Sequence, residues 1–249
     1  MEKKLIVALD VGSAKAALNL VDAFKDEVCL FKVGYQLFME EGPKVVKEIR
    51  KRGVEVFLDL KYHDIPNTVS EAAVRAMRLG VSFFNVHALG GAEMMRRCVE
   101  ACREVSIIED IPVPKILGVT ILTHLDQEVI ESEIGLTGSV EDNAIRLIRL
   151  SLDAGLDGVV SSPEEITGIR KKFGQRPIII TPGVRPLWSS WPAEAGRDDQ
   201  RRTKTPFEAI MDGADYIVVG RPILRSDDPV KAVQMILDEI EKGIAERQG

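Results

Sequence analysis

The 249-residue sequence is poor in cysteine and histidine, with three of each. Cys29, Cys98 and Cys102 form neither an even set nor a metal-type spacing, which excludes a disulfide framework or zinc module and leaves free thiols. Cys98 and Cys102, four apart on an expected helix, are read as packing residues that could touch. His63, His87 and His124 fall in different loops or strand ends without a ligand pattern, so hydrogen-bonding roles are expected of them. No apolar run approaches the roughly 20 residues of a membrane-spanning helix. The run inside the opening MEKKLIVALDVG is shorter than a signal peptide's core with its cleavage region. A cytoplasmic location and no membrane partner are therefore expected. Positive charge is not in excess either: 33 Lys plus Arg against 39 Asp plus Glu give −6. That balance argues against a dedicated nucleic-acid surface while leaving room for one local cationic pocket. Internal repeats and low-complexity linkers are lacking, which favours a single domain over 1–249.

What is present is an alternation. Apolar, β-branched runs recur as LIVALDV, LFKVG, VEVFLDLK, FFNVHAL, KILGVTIL, GVVSS, PIIITPGV and YIVVGRPIL. Between them lie segments of helical spacing such as SEAAVRAMRLG, EDNAIRLIRLSLDAG and DPVKAVQMILDEIEKG. Strands apolar along nearly their whole length and separated by helices indicate a parallel sheet covered by helices. Thr205-Pro206-Phe207-Glu208 has the spacing of a capping box, and Ser162-Pro163 and Asp228-Pro229 are further helix starts. Eight strand-helix units in about 250 residues predict an α/β fold, a single-domain (β/α)8 TIM barrel. An open doubly wound sheet would ordinarily carry G-x-G-x-x-G after its first strand, and VALDVGSAKAA lacks it. The longest irregular connection runs from Pro186 to Lys204, a length at which loops often act as lids.

Polar residues gather where these strands end: Asp10, Lys32, Asp59 with Lys61, His87, Thr120 with Thr123, Ser161, Arg185 and Arg221. That end is where barrel enzymes build their sites. In FLDLKYHDIPNTV, Phe57 to Val69, Asp59 and Lys61 are two apart and so leave the same face of a strand, with Asp64 following in the loop. An isolated buried charge neutralises, but alternating anions and cations keep one another ionised. A salt-bridge network that only closes the barrel mouth would be a poor substitute for apolar packing, which favours a reactive role. Gly220-Arg221 and Gly183 with Arg185, near the ends of the last two strands, suit a phosphate site.

Taken together, IVALD, FKVG, DLKYHDIPNTV, NVHALGG, GVTILT, TPGVR and VVGRPI, in this order over essentially the whole chain, resemble the orotidine 5'-phosphate decarboxylase family. The resemblance implies conversion of orotidine 5'-phosphate to UMP and carbon dioxide in pyrimidine biosynthesis, with no metal and no other cofactor. It implies a charged catalytic tetrad of Lys32, Asp59, Lys61 and Asp64, with Lys61 as proton donor and Asp64 delivered from the other subunit of a homodimer. Asp10 and Lys32 match positions that contact the ribose hydroxyls, and Thr123 a position that contacts the pyrimidine. Ile65 and Thr68 match the partner-supplied part of the site, and Arg185, Gln200, Gly220 and Arg221 the region that grips phosphate. The chain departs from the family at His124, where Ser is common, and in a longer connection carrying Trp188 and Trp191. Sugar-phosphate decarboxylases and aldolases of the same superfamily share D-x-K-x-x-D but use magnesium with an acidic ligand near the end of the second strand. Lys32 at that place, a poor metal ligand, argues against them, and the complete tetrad argues against a noncatalytic nucleotide-binding barrel.

Overall fold

Eight short apolar strands account for the framework of the computed structural model, which describes residues 3–189 and 202–248. In chain order the first half runs β1 (Leu5–Ala8), α1 (Ala14–Phe24), β2 (Leu30–Gly34), α2 (Tyr35–Glu41), α3 (Pro43–Arg50), β3 (Glu55–Tyr62), α4 (Pro66–Arg78), β4 (Phe83–His87) and α5 (Gly91–Glu109). The second half continues β5 (Lys115–Val119), α6 (Gln127–Ser132), α7 (Val140–Asp153), β6 (Gly158–Val160), α8 (Ile166–Phe173), β7 (Ile178–Thr181) and α9 (Pro206–Asp212). It ends with β8 (Tyr216–Val219), α10 (Arg221–Leu224) and α11 (Pro229–Gln248). Each strand pairs in parallel with the next, and β8 pairs with β1, closing the barrel in sequential order. The expected fold class is thus the observed one.

The strands are apolar on both faces because both faces are covered. Ile6, Leu30, Phe57, Phe83, Leu117, Ile180 and Val218 point into the barrel and fill its floor. The intervening residues, among them Val7, Phe31, Leu58, Phe84, Ile179 and Val219, join helix residues such as Val21, Ile49, Val69 and Met95 in the outer core. Cys98 and Cys102 are buried in that layer on α5, as packing residues would be.

Helix starts follow the local chemistry. Ser13 accepts from the Ala16 amide ahead of α1 at 3.2 Å. Thr205 and Glu208 form a reciprocal capping box with Pro206 at the first position of α9, satisfying amides that a helix end leaves without partners. Ser162 and Glu165 form a second box, which opens a 3-10 turn at Pro163–Glu165 ahead of α8. Pro229 begins α11 as the Asp228-Pro229 pair predicts.

One strand pair is irregular. Between β3 and β4 the register runs Phe57 to Phe83 and Leu58 to Phe84, then jumps to Tyr62 against Val86. Asp59, Leu60 and Lys61 therefore face a single residue, Asn85, across the ladder, a bulge at the rim of the barrel of the kind that re-aims side chains. Lys61 lies within it at φ 41°, a conformation that non-glycine residues rarely adopt.

Candidate active site

Above the apolar floor, the inward positions of β1, β2 and β3 become charged. Asp10, Lys32 and Asp59 follow Ala8, Leu30 and Phe57 by two residues each, so the pleat carries them up the same inner face. Lys32 Nζ lies 3.2 Å from Asp10 Oδ1 and 3.3 Å from Asp59 Oδ2. Lys61 Nζ donates to Asp59 Oδ1 at 2.7 Å. The result is a continuous alternation, Asp10, Lys32, Asp59, Lys61. Gly34 leaves room for it, since a Cβ there would sit 2.9 Å from Lys32 Nζ.

The electrostatics of this row are mutual. Burial acts against the Asp59 carboxylate, but the ammoniums of Lys32 and Lys61, with hydrogen bonds from Lys61 and Asn85, outweigh it and hold its pKa down at about 2. Burial likewise opposes the charge of Lys32, yet the carboxylates of Asp59 and Asp10 more than offset it and raise its pKa. Both groups are ionised at neutral pH. Of the two cations Lys61 is the more open to solvent, its side chain 28% exposed against 11% for Lys32, and so the easier for a small molecule to reach.

A cleft of about 260 Å³ opens over this row. That size suits one small molecule rather than a polymer. Asp10, Lys32, Asp59 and Lys61 line one side; Gly183, Arg185, Gly220 and Arg221 line another; Ile121, Leu122, Thr123 and His124 close over it from the end of β5. Gly183 adopts φ 77°, the left-handed turn that lets TPGVR bend over the mouth. The segment after β7 leaves and returns beside itself: Val184 bridges to Lys204, and the Arg185 amide donates to the Lys204 carbonyl at 2.9 Å. A site whose one lining combines carboxylates and amines with two arginines and two glycines fits a ligand that carries an anionic group in addition to its reacting centre.

Most of the expected site residues converge here: Asp10, Lys32, Asp59, Lys61, Thr123, Arg185, Gly220 and Arg221. Asp64, Ile65 and Thr68 do not. Asp64 is exposed, its Oδ1 accepting the Ile65 amide at 2.6 Å, and Ile65 is 67% exposed. Asp64 and Thr68 instead line a second, outward cleft of about 320 Å³ with Tyr35, Tyr62 and His63. Lys61 lines both clefts and forms the wall between them. Gln200 and Trp191 lie outside the described residues.

Three contributors escape a reading by sequence alone. Asn85, fully buried, donates to Asp59 Oδ1 and accepts from the Lys61 amide, both at 2.7 Å. Arg202 is buried against Glu165 and donates to the carbonyls of Ile121 and Leu122 at 3.2 and 3.1 Å. Glu165 in turn accepts from Ser161, which lines the cleft. The NVH and DDQRR stretches signal only a polar residue in a strand and a charged loop; the partners are remote in sequence.

Residues 3–236 match the model of the orotidine 5'-phosphate decarboxylase / HUMPS family. An orotidine 5'-phosphate decarboxylase of Syntrophotalea carbinolica is 51% identical over 98% of this chain and 97% of its own length. One of Heliobacterium modesticaldum is 47% identical over 98% of each. Among solved structures, the orotidine 5'-phosphate decarboxylase of Lactobacillus acidophilus superposes with a TM-score of 0.80 at 33% identity, covering 96% of this chain and 99% of that one.

Proposed function

The chain belongs to the orotidine 5'-phosphate decarboxylase / HUMPS family, and from this premise we propose that it converts orotidine 5'-phosphate to UMP and carbon dioxide without a metal ion. The observation that carries the reading is the alternating row of Asp10, Lys32, Asp59 and Lys61 facing a cleft that Arg185 and Arg221 also line. Lys32 Nζ already bridges Asp10 and Asp59, so the carboxylates that a divalent cation would need are committed to an ammonium. The product places the enzyme in pyrimidine biosynthesis, and a cytoplasmic location agrees with that role. Among the described residues no helix is long and apolar enough to cross a membrane.

The chemistry follows from the charges. The bond between pyrimidine carbon 6 and the carboxylate breaks with its electron pair left on carbon, and neutral carbon dioxide departs. No conjugated sink accepts that pair, so a fixed cation beside carbon 6 is the available stabilisation. Lys61 supplies it and then gives carbon 6 a proton, becoming an amine that recovers its proton from water. Asp59 holds Lys61 in place and sits beside the departing carboxylate. Asp10 and Lys32 bind the ribose hydroxyls and Thr123 the pyrimidine. Arg185, Gly220, Arg221 and Gln200 bind the phosphate, whose binding energy, remote from carbon 6, goes into ordering the site.

Asp64, Ile65 and Thr68 act in a homodimer, each reaching the partner's site. Their exposure, the apolar surface of Tyr35, Met39, Ile65 and Leu89, and the second cleft that shares Lys61 support this assignment. Neither nucleic acid nor a membrane is a partner in this reading.

Loss of orotidine 5'-phosphate absorbance and appearance of UMP, followed with excess chelator present, test the proposal. Turnover undiminished by chelator is expected, and Lys61→Ala is expected to lose at least about 10³-fold in kcat, combining lost charge stabilisation with lost proton transfer. A folded protein that is inert, or active only on adding magnesium, would sink it.

A further inference from the structure

We propose that Asn85 is a positioning residue for the reaction, setting the geometry of the Asp59 and Lys61 pair from beneath the site. The inference rests on the decarboxylase reading and extends it to a residue that does not touch the cleft.

The β3–β4 bulge is the starting point. With Asp59, Leu60 and Lys61 facing one residue of β4, the ladder cannot satisfy every backbone group of the longer strand. The Leu60 carbonyl accepts from the Tyr35 hydroxyl at 2.6 Å. The Lys61 amide donates to Asn85 Oδ1 at 2.7 Å. That second bond pins the residue that carries φ 41° and fixes the direction in which the Lys61 side chain leaves the strand.

The other half of the same amide acts on the carboxylate. Asn85 Nδ2 donates to Asp59 Oδ1 at 2.7 Å, the oxygen that Lys61 Nζ also reaches at 2.7 Å. Lys32 occupies the opposite oxygen at 3.3 Å. An N–H on one side and a carboxylate on the other admit only one orientation of the amide. Asn85 is thus a two-ended spacer between the backbone from which Lys61 departs and the carboxylate on which it rests. A fully buried amide is unfavourable beside an apolar side chain of equal volume unless both ends are used; here both are used on the reacting pair. The donated bond is also one of the causes holding the Asp59 carboxyl low.

Aspartate and leucine separate the contributions. Asn85→Asp keeps the shape and the acceptor for the Lys61 amide but turns the donor into a second carboxylate against Asp59. Asn85→Leu keeps the volume and removes both ends. Steady-state kinetics from pH 5 to 9, UMP affinity and urea denaturation would be compared with the parent protein. Displacement of a reacting group by a fraction of an ångström predicts a loss of about 10²-fold in kcat for both variants. KM and UMP affinity should change by less than about threefold, as expected when only the transition state is affected. Asn85→Asp should recover part of its kcat toward acid pH, where the added carboxyl gains a proton and can donate again, and Asn85→Leu should not. Asn85→Ser, small and able to donate and accept, should lie between them and the parent. Folded variants with kcat near the parental value, or a loss confined to KM, would overturn the proposal. So would failure of all three variants to fold, which would make Asn85 a residue of the barrel framework alone. A parent protein without turnover would refute the decarboxylase reading itself, whereas an active parent with indifferent variants refutes only the role of Asn85.

Discussion

His87 ends β4, its ring stacked on His63 at a centroid distance of 5.2 Å, and its Nδ1 accepts the Leu89 amide at 3.4 Å. Burial, with His63 and Lys61 nearby, pushes its pKa from an ordinary 6.5 down to about 4. The native protein therefore keeps this ring neutral where the unfolded chain would take up a proton. Its contribution to stability is complete above pH 6.5 and declines as pH falls toward about 4. Urea unfolding across that window should show the decline, and His87→Gln should flatten it; parallel slopes for the two proteins would remove His87 as the cause. At this scale the charged pair of Asp59 and Lys61 was legible, because ionic residues that interrupt an apolar strand are costly to bury and so mark a candidate site. Asn85 was not. One asparagine in a strand carries no signal until the bulge opposite it is known, and its partner Lys61 lies 24 residues away.

Elements connect through a second buried device. Glu165 closes the capping box ahead of α8 and pairs with Arg202 near the end of the long connection, while Arg202 also holds the carbonyls of Ile121 and Leu122 after β5. The β5, β6 and β7 ends of the barrel are thereby joined at one buried point. Removing the cation leaves a buried carboxylate without its counterion, so Arg202→Met should lower unfolding free energy by about 3–5 kcal/mol. Glu165→Gln added to it keeps the cap, removes the charge and should restore much of the loss. Equal instability of single and double variants in urea would show that the charge is not responsible. The eight strands and their order were readable because both faces of each are buried. The capping box of Thr205 with Glu208 was readable because its partners are three residues apart. The Glu165 to Arg202 contact spans 37 residues and follows only from the closed barrel.

At the scale of the molecule, Lys61 as a wall between two clefts explains why three residues of one motif separate: Asp59 and Lys61 face inward while Asp64 faces out. If Asp64 serves a second subunit, Lys61→Ala and Asp64→Asn chains complement each other. Equal amounts co-expressed should form mixed dimers in half of all pairings, each with one complete site, giving about a quarter of parental activity by the statistics of a two-fold assembly. A mixture no more active than its parents would place Asp64 outside the reaction. The junction of β1 with β8 carries a consequence for biosynthesis. Leu5 finds its neighbour Ile217 only after more than 200 intervening residues have been made, so a nascent chain on the ribosome holds an open sheet with two unpaired edges through most of translation. Such edges invite pairing with other chains, and the last strand to be synthesised is the one that ends that exposure.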